Sequence, residues 1–235
     1  MTALFPELDE LRLAVALPSY NGARYNTVPL MHLARQVPHA IPIPTQSSLL
    51  ALTFNLTLTN AFRLAKEGKA THYLMLHDDI VPKDANWFEQ LWGAWKDSKA
   101  QLMCAVSPIK DDRGLTSVAV ESGDPWKPRR LTMKEVFAGP VTFSHPSILL
   151  NTGCMMFDLR DPWVQKCWFK IDDNMTWTDG IPVPRVMPED WQFSRMARAA
   201  GCERIFATRA MRLEHIGQQR YPNDATWGLE HDDGT

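Results

Sequence analysis

"THYLMLHDDIVP", residues 71–82, is the stretch on which the fold turns. Tyr73, Leu74, Met75 and Leu76 form a short apolar run bounded by polar residues, which predicts a buried β-strand. The run ends on His77, Asp78 and Asp79. Two carboxylates at the end of a buried strand cost folding free energy unless they are solvated or paired with something positive. In open α/β sheets, ligands bind at the carboxyl ends of the strands. Paired acids at such a place suit a hard dication, Mg²⁺ or Mn²⁺, which takes oxygen ligands and often carries substrate phosphates. The plainer alternative is that Asp78 caps a turn and Asp79 pairs with the nearby Lys83.

Upstream, "LRLAVALPSYNG" predicts a first strand over residues 11–17, ending at Pro18 and followed by loop chemistry. Residues 47–67 predict a long helix, in which Ala51, Phe54, Leu58, Ala61 and Ala65 recur at helical spacing before Gly68. Downstream of the acids, Asp84 can cap a helix with the stripe Phe88, Leu91, Trp92 and Trp95. "QLMCAVSP", residues 101–108, reads as a third buried strand. Strands alternating with helices predict an α/β fold with a mostly parallel central sheet flanked by helices.

The second half, 109–235, reads as more irregular. Residues 109–147 are rich in Pro, Gly and charge and predict a long, partly mobile loop, and residues 160–187 are again irregular. Between them "SILLNTGCMMFDL" (147–159) predicts two strands bent at Asn151, Thr152 and Gly153. "MPEDWQFSRMARAAG" predicts a helix with Pro188 at its start, Glu189 and Asp190 in its first turn and Gly201 beyond its end. Its buried stripe is Phe193, Met196, Ala197 and Ala200. The dipole at the helix start favours ionised acids, and an ionised carboxylate in a cleft is a competent general base. "RLEHIG" places His215 after a closing strand and before Gly217, and an imidazole ligand would tilt a metal site toward Mn²⁺.

Composition narrows the class. The chain has 235 residues, 45% hydrophobic and 22% charged, with a net charge of -2, so no global basic field advertises a nucleic-acid partner. The compact basic cluster Lys127, Arg129 and Arg130 is read as solvated loop, with a polyanion or phosphate contact as the sharper alternative. Cys104, Cys154, Cys167 and Cys202 lack metal-type spacing. The acidic N-terminal stretch is unlike a signal peptide, and no apolar run approaches the roughly 20 residues that span a bilayer, so a cytoplasmic chain with reduced thiols is expected. Six of the tryptophans (Trp126, Trp163, Trp168, Trp177, Trp191 and Trp227) lie in the second half, where packing is the default and a sugar or base platform the alternative.

In order along the chain, "VALPSYNG", "THYLMLHDDIVP", "NTGCMMFDLR", "PEDWQFSRMARAAG" and "RLEHIG" resemble the GT-A glycosyltransferases, chiefly the inverting family-two type. The resemblance implies a single GT-A domain over 1–235, with Rossmann-like residues 1–108 binding a nucleotide-sugar and 109–235 forming the acceptor and catalytic half. It implies that Asp79 and His215 hold Mn²⁺ or Mg²⁺, with Asp78 on the metal or the ribose. Pro18, Ser19 and Tyr20 would frame the nucleotide, and Asn55 would face the donor. Asp190, with Glu189 beside it, would deprotonate the acceptor hydroxyl. The chain departs from the family pattern at His77, where the first acid often lies, and at Phe54, where arginine is common. The expectation is a metal-dependent, inverting transferase using a UDP-sugar, with a glycan, lipid, protein or modified DNA base as acceptor. A metal-dependent nucleotidyltransferase or phosphohydrolase built on Asp78, Asp79 and His215 is the first alternative. A non-catalytic nucleotide- or glycan-binding module is the second.

Overall fold

The computed structural model of the chain describes residues 5–20, 22 and 25–228. Its first half runs β1 (Leu13–Ser19), α1 (Thr27–Gln36), β2 (Ala40–Gln46), α2 (Leu50–Lys66), β3 (His72–Leu76), β4 (Ile80–Pro82), α3 (Trp87–Ser98) and β5 (Leu102–Ala105). Both β1 and β3 are buried along their whole length, which is why their sequences are continuous apolar runs without alternation. The second half begins with β6 (Leu115–Val120), β7 (Arg129–Thr132), α4 (Met133–Ala138), β8 (Thr142–Phe143), β9 (Ile148–Leu149) and β10 (Cys154–Asp158). It closes with β11 (Asp172–Thr178), β12 (Ile181–Met187), α5 (Glu189–Ala199), β13 (Ile205–Thr208), β14 (Leu213–Ile216) and β15 (Arg220–Pro222).

Seven strands form the central sheet in the order β2-β1-β3-β10-β5-β13-β8. Strands β2, β1, β3, β5 and β13 run one way, and β10 and β8 run the other. The sheet is therefore mostly parallel, as the sequence predicts. The late strand β10 nevertheless lies between β3 and β5, so the two halves of the chain interleave. One hydrophobic cluster draws on both, from Leu8 and Leu13 through Tyr73 and Trp87 to Phe157, Phe193 and Leu213.

The second half is more regular than its composition suggests. Residues 109–147 are not one long loop. They supply β6 and β7, which join β9 in a three-stranded sheet, and the short helix α4. A capping box between Thr132 and Glu135 starts α4, and Leu115, Val118, Ala119, Met133 and Val136 are buried. The apolar residues are too widely interleaved with Pro and charge to show a period, yet the buried ones suffice to pin the segment. Residues 160–187 contain the hairpin β11–β12, whose two-residue turn is Asp179-Gly180. Both turn residues have positive φ, 51° and 77°, as a tight hairpin turn requires. No helix among the described residues is long and apolar enough to cross a membrane.

Candidate functional site

Because β1, β3, β5 and β13 are parallel and β10 is antiparallel to β3 and β5, the loops after the four and before β10 emerge at one end of the sheet. Those loops carry Ser19, Asp78 and Asp79, Lys110, Asn151 to Gly153, and the approach to His215.

The acidic pair is tied down from three sides. Ser19 Oγ donates to Asp78 Oδ2 at 2.5 Å and accepts from the Gly22 N–H at 2.8 Å. The first loop is thus hydrogen-bonded to the acid motif, as are Tyr25 N to Asp78 O at 2.9 Å and Asn26 Nδ2 to His77 O at 2.7 Å. Pro18 is buried at the end of β1, whereas Tyr20 is exposed and free to flank a ligand. Asn21 of the same loop lies outside the described residues.

His215 reaches the acids through a second, three-stranded sheet, β15-β14-β4. β14 pairs antiparallel with β4, placing His215 opposite Ile80, and Ile216 N donates to Asp79 O at 2.8 Å. His215 Nε2 then stands 3.5 Å from Asp79 Oδ2. Its Nδ1 donates to the Pro108 carbonyl at 2.7 Å, which fixes the tautomer and leaves Nε2 available as a ligand. Lys83, the local partner weighed from sequence, pairs instead with Asp224 at 3.0 Å. The positive partner of Asp79 is Lys110, whose ammonium contacts Oδ2. Burial opposes ionisation of Asp79, but His215 and the Lys110 ammonium beside it hold its carboxyl well below the usual carboxylate range.

A dication fits this corner in part. Asp79 Oδ1 is buried without a hydrogen-bond partner, as is His77 Nε2. The oxygen that His215 Nε2 faces is Oδ2, which Lys110 contacts, while Oδ1 of the same carboxylate is left as an unfilled oxygen ligand for a divalent ion. No group of three or more His, Cys, Asp or Glu among the described residues converges to hold a metal by itself. Mg²⁺ or Mn²⁺ on Asp79 and His215 would need its remaining ligands from substrate and water.

His77 and Phe54, where the chain differs from the glycosyltransferase pattern it resembles, touch each other. The His77 and Phe54 rings are 5.0 Å apart, and burial pushes the His77 pKa down to about 4, so the imidazole is neutral at pH 7. The positions where the resemblance would put an acid and an arginine thus hold a neutral aromatic pair. Asn55 has another use from the one the resemblance implies. Its Nδ2 donates to the Phe169 carbonyl at 2.7 Å and its Oδ1 accepts from the Phe169 N–H at 2.9 Å, so both ends of the amide clamp that backbone. Phe169 in turn stacks on Phe193 of α5, with centroids 4.3 Å apart.

Glu189 and Asp190 begin α5, with Pro188 as N-cap. The helix is fastened to the "NTG" bend: Leu150 N donates to Ser194 Oγ at 2.9 Å, and Ser194 Oγ donates to Asp190 O at 3.3 Å. The bend also meets the acid motif, where His77 N donates to Gly153 O at 2.9 Å. Asp190 therefore shares the end of the sheet with Asp79. Its charge state differs from the expectation. Burial first, and the charge of Glu189 second, raise its pKa to about 7, against the Trp191 N–H at 2.7 Å and the field of Arg130. The helix N-terminus does not outweigh burial. Glu189 is also buried, and burial raises its pKa. Arg130, from the basic cluster, lies 4.5 Å over the Trp191 ring, so that residue is not merely solvated. The sequence reading had Arg130 only as part of a basic cluster and missed Lys110.

Among solved structures, the crystal structure of A197 from STIV matches with a TM-score of 0.56 over 96% of this chain and 97% of that one, at 14% identity. The two share a fold. Likeness at that identity carries nothing about activity. No family model and no curated protein sequence matches the chain.

Proposed function

We propose that the protein is a metal-dependent glycosyltransferase that moves a sugar from a nucleotide-sugar, with UDP as the nucleotide, to a hydroxyl acceptor with inversion. The carrying observation is the pairing of β14 with β4, which brings an oriented His215 to Asp79 at the carboxyl end of β3. Such a corner binds a diphosphate-bearing ligand in open α/β sheets. Asp79 and His215 would hold Mn²⁺ or Mg²⁺, which when bound neutralises charge developing on the leaving diphosphate. Ser19 and Asp78, already hydrogen-bonded, orient the nucleotide side of the site.

Asp190 supplies the second half of the chemistry. A pKa of about 7 divides the carboxyl between its two forms at neutral pH, the condition in which a base both takes a proton readily and releases it. It accepts the acceptor's proton as the hydroxyl oxygen attacks the anomeric carbon. The transition state there is oxocarbenium-like, as in glycoside hydrolysis.

The test is a screen of nucleotide-sugars for thermal stabilisation and turnover, with and without Mn²⁺. Stabilisation by UDP that requires Mn²⁺, together with sugar release or transfer, supports the reading. Cleavage of nucleotides that is indifferent to Asp190→Asn supports the phosphohydrolase alternative. Binding of UDP without turnover over a broad acceptor panel supports a binding module.

A further inference from the structure

Lys110 plays no part in the transfer chemistry above, yet its ammonium sits on Asp79 Oδ2, the oxygen that His215 Nε2 faces at 3.5 Å. It arrives from the loop after β5, not from the strands that carry the acid and the imidazole. The root of that loop is fixed. The Pro108 carbonyl accepts from His215 Nδ1, and Ile109 N donates to Leu115 O at 3.0 Å. Beyond the root, the Lys110 stem passes over Gly217. A Cβ at position 217 would stand 3.1 Å from Lys110 Cδ and 3.2 Å from Lys110 Cβ. The glycine of "HIG" is thus the space through which the lysine reaches the acid. Next to the ammonium opens a cleft of about 520 Å³ that Lys110 lines with Asp111, Gln219 and Tyr221, among others. A flexible four-carbon stem with a freely rotating head has room to swing there.

An ammonium and a dication cannot share one carboxylate oxygen, because two cations in contact repel steeply where water screens them only in part. A dication held between Asp79 Oδ2 and His215 Nε2 therefore requires Lys110 to leave. We propose that Lys110 is a donor-site residue that trades partners: it neutralises Asp79 in the free protein, yields that carboxylate to the dication, and then turns its ammonium to the diphosphate of the nucleotide donor. Lysine serves phosphate as a mobile point charge, which suits a residue that must change partners. This inference rests on the glycosyltransferase reading.

The experiment compares wild type with Lys110→Met, which keeps the stem and removes the charge. Mn²⁺ binding without nucleotide is read from loss of the free aqua-ion EPR signal, and UDP binding by calorimetry at saturating Mn²⁺. Lys110→Met should bind Mn²⁺ roughly two- to fivefold more tightly, the worth of one partly exposed ion pair. It should bind UDP on the order of tenfold more weakly, having lost a charge-assisted phosphate contact. Gly217→Ala crowds the stem while keeping the charge, and should also tighten Mn²⁺, so the idea stays testable if the lysine variant fails to fold. Mn²⁺ affinity in Lys110→Met that equals or falls below wild type overturns the exchange, as does unchanged UDP affinity. Wild type that binds neither Mn²⁺ nor UDP sinks the glycosyltransferase reading as well. Wild type that binds both, beside an indifferent Lys110→Met, sinks the lysine alone.

Discussion

Replacing Asp190 with asparagine should make the protein more stable in alkaline buffer and inactive in every buffer. The folded-state pKa of Asp190, about 7, lies above the ordinary aspartate value of 3.8. Between roughly pH 4 and 7 the native protein holds a proton that the unfolded chain has already released, so stability is lost as pH rises through that window. At about 1.4 kcal/mol per pH unit the full difference is roughly 4 kcal/mol, and water reaching the partly exposed residue reduces it to about 2–4 kcal/mol. The asparagine side chain cannot ionise, yet its amide oxygen can still accept the Trp191 N–H that Asp190 Oδ1 accepts at 2.7 Å. Urea unfolding of wild type and Asp190→Asn at pH 4 and pH 8.5 measures the effect directly. The two should be nearly equal at pH 4, and the variant should be the more stable by about 2–4 kcal/mol at pH 8.5. Transfer should fall on the order of a hundredfold or more, with UDP affinity unchanged, and wild-type activity should rise with pH through about 7. A stability difference that stays flat between the two pH values would refute the burial argument. A variant that retains transfer would refute the role as base.

Other residues give sharper local tests. Asp79→Ala should abolish the Mn²⁺-dependent gain in melting temperature on adding UDP, and a variant that keeps it would move the metal elsewhere. Asn55→Ala strands both backbone groups of Phe169, so chemical denaturation should show a loss of about 2–3 kcal/mol while the Kd for UDP stays within about twofold. His77→Asp alone places a charge against Phe54 and should cost about 2 kcal/mol or more, and adding Phe54→Arg should recover at least about 1 kcal/mol. A double-mutant cycle without coupling would show that the two departures are independent.

How much could be read in advance depended on how local each signal was. Strands β1, β3 and β5 are continuous apolar runs, and α5 has an apolar stripe with clear end signals, so each was legible from its own residues. The hairpin β11–β12 was not, because Met175, Trp177, Ile181 and Val186 remain exposed and set up no buried alternation. Its Asp179-Gly180 dipeptide was the available signal. α4 hides behind a weak period, although Thr132 and Glu135 spell its capping box. Asp79 and His215 were legible as candidates, but their meeting depends on β14 joining β4, a long-range pairing that no local pattern encodes. Lys110 was invisible for the same reason. Its nearest sequence neighbours, Asp111 and Asp112, point to an ordinary solvated loop, whereas its partner lies across the site. Asn55 misled because helical position says which face a residue occupies and not which backbone it clamps.

The position of β10 also governs how the chain must come together. Until residues 154–158 exist, β3 and β5 each lack a neighbour, and β5 gains its other flank only with β13. A nascent chain emerging from the ribosome through residue 108 therefore holds strands with open, adhesive edges and no route to close them. Long-range pairings of this kind fold slowly and leave such edges exposed to other chains. Truncation after β5 should yield aggregates, not a nucleotide-binding fragment. The first half is complete in its sequence signals but depends on the five residues of β10 to join β3 to β5 and on β13 to cover the other edge of β5.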